Sequence, residues 1–224
     1  DRRAGAGPLA VLDAGGGTGG FAVPLAELGH SVTVVDPSPD SLAALARRAA
    51  EAGVADLVTA RQGDLANLAD VVAARSCDLV LCHSVLEVVD DPAAALQQAA
   101  DALRDGGCIS VLAANRTAAV FGRALAGHFT EARHVLDDPA GRWGAADSTS
   151  RRFALAELTA LLDGAGLPVV AVYGVRIFAD LVARHLLDAD QAALDQLVEL
   201  ELAVADQPAF RDVATQLHML GRRG

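Results

Sequence analysis

Val11-Leu12-Asp13-Ala14-Gly15-Gly16-Gly17-Thr18-Gly19 decides the fold of this chain. The stretch opens as a short apolar strand, reaches an acid at Asp13 and breaks into glycines. A helical pattern then runs from about Thr18 to Leu28. Strand, glycine-rich turn and helix in that order leave backbone N–H groups and a helix N-terminus open to a nucleotide cofactor. Gly15, Gly17 and Gly20 also satisfy the G-x-G-x-x-G spacing of a dinucleotide site. In such a site those N–H groups hold a pyrophosphate, and Asp13 would set a negative charge beside it. A cofactor with no phosphate and a cationic head suits Asp13 better. S-adenosylmethionine (SAM), with its ammonium and sulfonium, is one. A nicotinamide-dependent dehydrogenase is the weaker reading. With five glycines in the six residues 15–20, an ordinary tight turn is weaker still.

A second mark lies about 20 residues past the glycines. Ser31-Val32-Thr33-Val34-Val35-Asp36 is a β-branched strand ending in an acid. A carboxylate there can accept both hydroxyls of a ribose, which SAM and NAD share. Asp36 therefore reports a nucleoside and does not choose between them. As a helix cap ahead of Pro37-Ser38-Pro39-Asp40 it has better competitors in Ser38 and Asp40.

Outward from this pair, strand and helix patterns alternate. Strands are expected at Leu9–Leu12, Val32–Val35, Leu57–Arg61, Asp78–Cys82, Cys108–Ala113, Leu167–Val175 and Thr215–Leu220. Helices are expected at Phe21–Leu28, Ser41–Ala52, Leu65–Ala74, Pro92–Leu103 and Phe153–Leu162, with Asp91 capping the fourth and Gly106-Gly107 stopping it. A long helical stretch follows over Ile177–Ala205, divided near Leu187-Asp188. The fold expected is α/β: a Rossmann-like, doubly wound, mostly parallel seven-stranded sheet with helical insertions after strands five and six. The chain reads as one domain, 1–224, with insertions at about 115–150 and 176–210. In an open sheet of this kind ligands bind beyond the carboxyl ends of the strands. The two insertions leave those ends, so they are expected to cap the acceptor pocket. A dimer interface is the other role open to 176–210, where Leu194, Leu197, Val198, Leu200 and Leu202 offer apolar surface.

Composition narrows the function class. Apolar residues make up 52% and charged residues 21% of the chain, so it is globular. A net charge of −11 opposes long-range attraction to nucleic acid. The basic pairs Arg2-Arg3, Arg47-Arg48, Arg151-Arg152 and Arg222-Arg223 are short and scattered. No apolar run reaches membrane-span length, no signal peptide is visible, and Cys77, Cys82 and Cys108 form neither a zinc nor a disulfide pattern. A reduced cytoplasm is the expected setting, with no membrane and no metal. The chain opens on Asp1 without a methionine, which reads as a piece of a longer protein whose upstream segment could cover the cofactor.

Val11 to Gly19, Asp36, Gly63-Asp64 and His83-Ser84-Val85-Leu86-Glu87-Val88-Val89-Asp90-Asp91-Pro92 together resemble class I SAM-dependent methyltransferases. More narrowly, the chain is similar to the bacterial tRNA 5-carboxymethoxyuridine methyltransferase group. That likeness rests on the triple glycine after Leu12-Asp13-Ala14, on His83 with Val85-Leu86-Glu87, and on Gly174-Val175-Arg176-Ile177-Phe178 with Asp180 behind it. Glu199-Leu200-Glu201 and Gln207-Pro208 also fit. The group esterifies the carboxylate of a modified wobble uridine.

The resemblance implies a cofactor site of Asp13, Ala14, Gly15, Gly16, Gly17, Asp36, Pro37, Ser38, Asp64, Leu65 and His83. In it the glycines and Asp13 face the methionine part of SAM. Asp36 holds the ribose, Pro37 or Ser38 borders the adenine, and Asp64 with Leu65 accepts the adenine amino group. Asp64 is alternatively a surface cap, and His83 is either a base that orients the acceptor or a structural histidine. Asn115, Arg116 and Arg176 follow strands five and six and are the acceptor candidates, since an arginine fork can grip a carboxylate. Trp143 offers a stacking face or anchors its loop. The expected reaction is in-line displacement at the SAM methyl, releasing S-adenosylhomocysteine, onto an oxygen acceptor. A carboxylate needs no general base; a hydroxyl would need His83. The acceptor is tRNA or a small molecule taking the methyl on oxygen or nitrogen. A SAM- or nucleotide-binding protein without catalysis is the reading from another class.

Overall fold

The structure, a computed structural model, describes residues 7–182 and 191–224. Seven strands form one sheet in the order β3-β2-β1-β4-β5-β7-β6. They are β1 (Ala10–Ala14), β2 (Ser31–Asp36), β3 (Val58–Gln62), β4 (Cys77–His83), β5 (Leu103–Ala114), β6 (Val169–Val175) and β7 (Gln216–Arg222). β1 lies between β2 and β4 and is parallel to both, with Asp13 opposite Val34 on one side and Leu81 on the other. β7 runs the other way. Gly106 N–H donates to Arg223 O and Asn115 N–H to Thr215 O, an antiparallel register with β5. Arg222 N–H to Pro168 O and Thr215 N–H to Arg176 O give the same sense against β6. The seven-stranded Rossmann-like sheet is as expected, with β7 as its reversed strand.

The chain divides into two compact units. The first runs up to Val111 and adds 161–169 and 220–224; the second holds 112–160 and 170–219.

In the first unit, β1, β2 and β4 read as near-continuous apolar runs because both faces are covered, as parallel strands require. Val11, Val32, Val34 and Leu81 pack with Ala22, Ala26 and Leu45 from α1 (Ala22–Glu27) and α2 (Pro39–Glu51). Small alanines on these helices let backbone approach sheet closely. Ser38 caps α2 by accepting from Ser41 N–H, and Asp91 caps α3 (Pro92–Ala102) by accepting from Ala93 and Ala94 N–H. Both caps agree with the sequence reading. Two expectations do not hold. Gly106-Gly107 do not stop α3; the helix ends at Ala102 and both glycines lie inside β5, paired to the end of β7. A glycine with positive φ, here +72° at Gly106, is a helix stop in isolation, and the pairing to Arg223 makes it part of a strand. Over 65–74 the expected helix is a short 3-10 segment, Leu65–Asp70, interrupted at Asn67.

The second unit contains both expected insertions. The first is helical: α4 (Arg116–Leu125) and α5 (Phe129–Asp137) precede an irregular loop. α6 (Leu155–Gly164) leads on towards β6. In the second insertion the expected helix does not begin at Ile177. Residues 177–182 form turns, because the N–H groups of Ile177, Phe178 and Ala179 are taken by the Glu201 carboxylate. Helix α7 covers Gln191–Val204 and a short α8 covers Pro208–Arg211. The expected break near Leu187-Asp188 lies outside the described residues. Leu194, Val198, Leu200 and Leu202 of α7 are exposed.

Candidate functional site

The glycine loop is shaped by what lies beneath it. Gly15 has φ +77°, and a Cβ there would sit 2.4 Å from Val85 Cγ2. A Cβ on Gly16 would sit 2.4 Å from Asp13 Oδ2 and 2.9 Å from Val34 Cγ1. The first glycine is required by backbone conformation, the second by the acid underneath. Asp13 is 2% exposed, and its Oδ2 has no hydrogen-bond partner. Burial, with the Asp36 charge adding to it, pushes its pKa up to about 6. An ionised carboxylate without a partner in such a place is costly unless a cation comes to it.

Asp36 is committed to the loop. Its Oδ2 accepts Gly17 N–H at 2.9 Å and its Oδ1 accepts Ser38 N–H at 2.9 Å. Two backbone contacts leave each oxygen further lone pairs, so the carboxylate can hold the loop and still accept hydroxyls. Pro37 accepts from Gln62 Nε2 through its carbonyl. Asp64 is exposed and caps the 3-10 segment through Oδ1, which accepts Ala66 and Asn67 N–H. Leu65 beside it is buried. Of the two roles read for Asp64, the cap is the one seen, and it uses a single carboxylate oxygen.

His83 ends β4. Its Nε2 lies 2.8 Å from Ser110 Oγ, and its ring meets Phe21 edge-on at 4.7 Å. Ser110 is buried on β5 and was not among the sequence candidates, because one serine in an apolar strand carries no periodic signal. The residue after the histidine, Ser84, holds φ +57°. A non-glycine in the left-handed region just past a strand is a strained conformation of the sort found at functional sites. Glu87, read from the sequence only as part of the family pattern, is buried.

The second unit has a cavity of about 640 Å³. Asn115, Trp143 and Arg176 line it; Arg116 does not. Asn115 is spent on structure: Nδ2 donates to Asp212 and Ala214 carbonyls and Oδ1 accepts Thr117 N–H, capping α4. The Arg116 guanidinium reaches Pro139 O and pairs with Glu157 at 3.0 Å. Arg176 pairs with Asp180 and keeps 55% of its side chain exposed. Trp143 carries the Arg123 guanidinium 3.9 Å above its ring, and Arg123 in turn pairs with Glu131 at 3.1 Å. Arg152, also on the cavity wall, forms a two-pronged pair with Asp147 at 2.6 and 3.0 Å. Burial would raise the Asp147 pKa. The Arg152 fork, with Trp143 and Thr149 N–H donating to the same carboxylate, outweighs it and brings the value to about 2.

An acid waiting for a cation under a glycine loop, and a second acid one strand over, are what a SAM site needs. A methyltransferase-domain family profile matches residues 12–109, from the first strand to β5. The tRNA 5-carboxymethoxyuridine methyltransferase of Escherichia coli K12 is 30% identical over 219 residues, covering 96% of this chain and 80% of that protein. The chain belongs to the class I SAM-dependent methyltransferases. A ubiquinone biosynthesis O-methyltransferase of Methylobacterium nodulans is 33% identical over 198 residues, covering 88% and 74% of the two chains. Among solved structures, the 1,6-didemethyltoxoflavin-N1-methyltransferase of Burkholderia thailandensis, with 1,6-didemethyltoxoflavin and S-adenosylhomocysteine bound, superposes with a TM-score of 0.58. It is 20% identical, over 97% of this chain and 72% of that one, and carries the fold.

The methyltransferase residues fit the cofactor on their own geometry. The orphan Asp13 oxygen and the Cβ-free Gly16 above it make a cradle for a small cation. Among the described residues no helix is long and apolar enough to cross a membrane, and no group of His, Cys, Asp and Glu is disposed to hold a metal.

Proposed function

We infer that this methyltransferase moves the SAM methyl to a carboxylate oxygen, as in 5-carboxymethoxyuridine of tRNA. The observation that carries the reading is the similarity to the E. coli tRNA enzyme across 96% of the chain, so that it includes the second unit as well as the cofactor half. Arg176 supports it. Of the three arginines on the cavity wall, it has the most exposed side chain, and a guanidinium matches a carboxylate with two parallel donors. SAM supplies a methyl already activated by a positive sulfur. With SAM held by the glycine loop, Asp13 and Asp36, a carboxylate oxygen would form the new C–O bond as the S–CH₃ bond breaks, the sulfur keeping the electron pair as a neutral thioether. No proton moves, so His83 orients the acceptor; Ser110 and Phe21 hold its ring. The three free thiols, two of them buried, accord with a cytoplasmic setting.

Methyl transfer to a hydroxyl of a small molecule is the second reading. The net charge of −11 and the similarity to the ubiquinone enzyme favour it. One experiment separates the two. The protein is given SAM labelled at the methyl and tRNA carrying 5-carboxymethoxyuridine. A methyl ester releases its label as methanol in mild base, whereas a methyl ether or amine keeps it. Base-labile label in tRNA supports the first reading. Label that enters only small molecules and resists base contradicts it.

A further inference from the structure

Arg176 is held in an unusual way. Its φ is +61°, a left-handed conformation that side-chain-bearing residues rarely adopt. The backbone is fixed from its carbonyl onward. Thr215 donates to the Arg176 carbonyl through both N–H and Oγ1. The next three N–H groups, of Ile177, Phe178 and Ala179, converge on the Glu201 carboxylate at 2.8–2.9 Å. A strained residue locked by five hydrogen bonds is a backbone built to aim one side chain. That side chain lines the cavity, and the group it grips is Asp180, four residues on, which lines the same cavity.

The other arginines of the wall are immobilised. Arg152 is 12% exposed and gives its fork to an Asp147 side chain that is 1% exposed. Arg123 lies between Trp143 and Glu131. The Arg176–Asp180 pair is 55% and 30% exposed, so solvent screens it and little is lost when it opens.

Resting on the carboxylate reading above, we propose that Asp180 is a stand-in for the acceptor carboxylate: it occupies Arg176 until an acid acceptor displaces it. The argument turns on exchange of one carboxylate for another. An anionic acceptor takes over the Arg176 fork in kind, whereas a neutral group leaves the Arg176–Asp180 pair closed and binds without it. Glu201 is a positioning residue, acting through the 176–179 backbone.

The test is binding of 5-carboxymethoxyuridine nucleoside and of its methyl ester, in the presence of S-adenosylhomocysteine, by calorimetry. Asp180→Asn is expected to tighten the acid about three- to tenfold, as one competing carboxylate is removed, and to leave the ester unchanged. Arg176→Lys is expected to weaken the acid about tenfold by losing the fork, and in its background Asp180→Asn gains much less. Melting temperatures and S-adenosylhomocysteine affinity should hold in all variants, which separates the effect from misfolding. Asp180→Asn that weakens the acid, or acts equally on acid and ester, overturns the proposal. So does an acid that binds neither protein. Turnover on tRNA is scored separately: nucleoside binding with the expected pattern but no base-labile label leaves the stand-in intact and removes the tRNA reading.

Discussion

The two units treat buried acids in opposite ways. Under the glycine loop, Asp13 is buried with an unpartnered oxygen and a second acid close by. In the second unit Asp147 is buried with an arginine fork and two backbone N–H groups on its oxygens. Burial raises both pKa values in principle, yet one rises to about 6 and the other falls to about 2. The difference lies in who supplies the partner. Asp147 finds its cation within the chain and stabilises a loop, while Asp13 Oδ2 finds no partner among the described residues. A site that binds a cation is thus recognised by its unmet electrostatic demand, and a structural ion pair by its saturation.

Breaking the saturated pair has the largest expected effect. Arg152→Ala strands the Asp147 charge and should cost about 3–5 kcal/mol of stability, read from chemical denaturation at pH 7. The pair also predicts acid sensitivity. With its folded pKa near 2 against 3.8, Asp147 contributes fully above pH 3.8 and its share, about 2 kcal/mol, is lost as pH falls through 2. Arg152→Ala should remove that part of the acid transition.

The unmet acid should behave inversely. A folded pKa near 6 favours the protonated fold, so the Asp13 contribution to the ligand-free protein is full below pH 3.8 and about 3 kcal/mol is lost as pH rises through 6. Asp13→Asn should therefore raise the ligand-free melting temperature at pH 7 while weakening SAM about 10- to 100-fold, a stability gain at the expense of function. Gly16→Ala puts a methyl on Asp13 and should weaken SAM to a similar degree without the gain in stability. Smallest is Ser110→Ala, which removes the hydrogen bond to His83 Nε2 at about 1 kcal/mol and lowers kcat a few-fold with SAM affinity unchanged.

How far this contrast was legible in the sequence differs between the units. Asp13 and Asp36 stand at the ends of apolar strands at a fixed distance from a glycine cluster, so period and punctuation expose them. The alternation of strands and helices up to β5 was readable for the same reason. Asp147 and Arg152 sit in an irregular loop where a fork between two side chains sets the conformation, and no period marks it. Glu201 lies on a helix among leucines, and its partners are backbone groups some 22–24 residues away in sequence, which no local pattern shows. Gly106-Gly107 misled because a positive-φ glycine reads the same at a helix end and inside a strand, and only the partner strand decides. Asn115 and Arg116 were placed correctly on the chain as the residues after β5, but whether a polar side chain faces a cavity or satisfies a nearby carbonyl depends on packing that the sequence does not spell out.

The central claim is that the charge of Asp13 selects the cofactor. Its most direct test is the pH dependence of SAM affinity between pH 4.5 and 7.5, in the wild type and in Asp13→Asn. The account predicts that wild-type affinity rises as pH passes through about 6, where Asp13 ionises, and that the Asn variant shows no such rise. Parallel curves for the two proteins would contradict it.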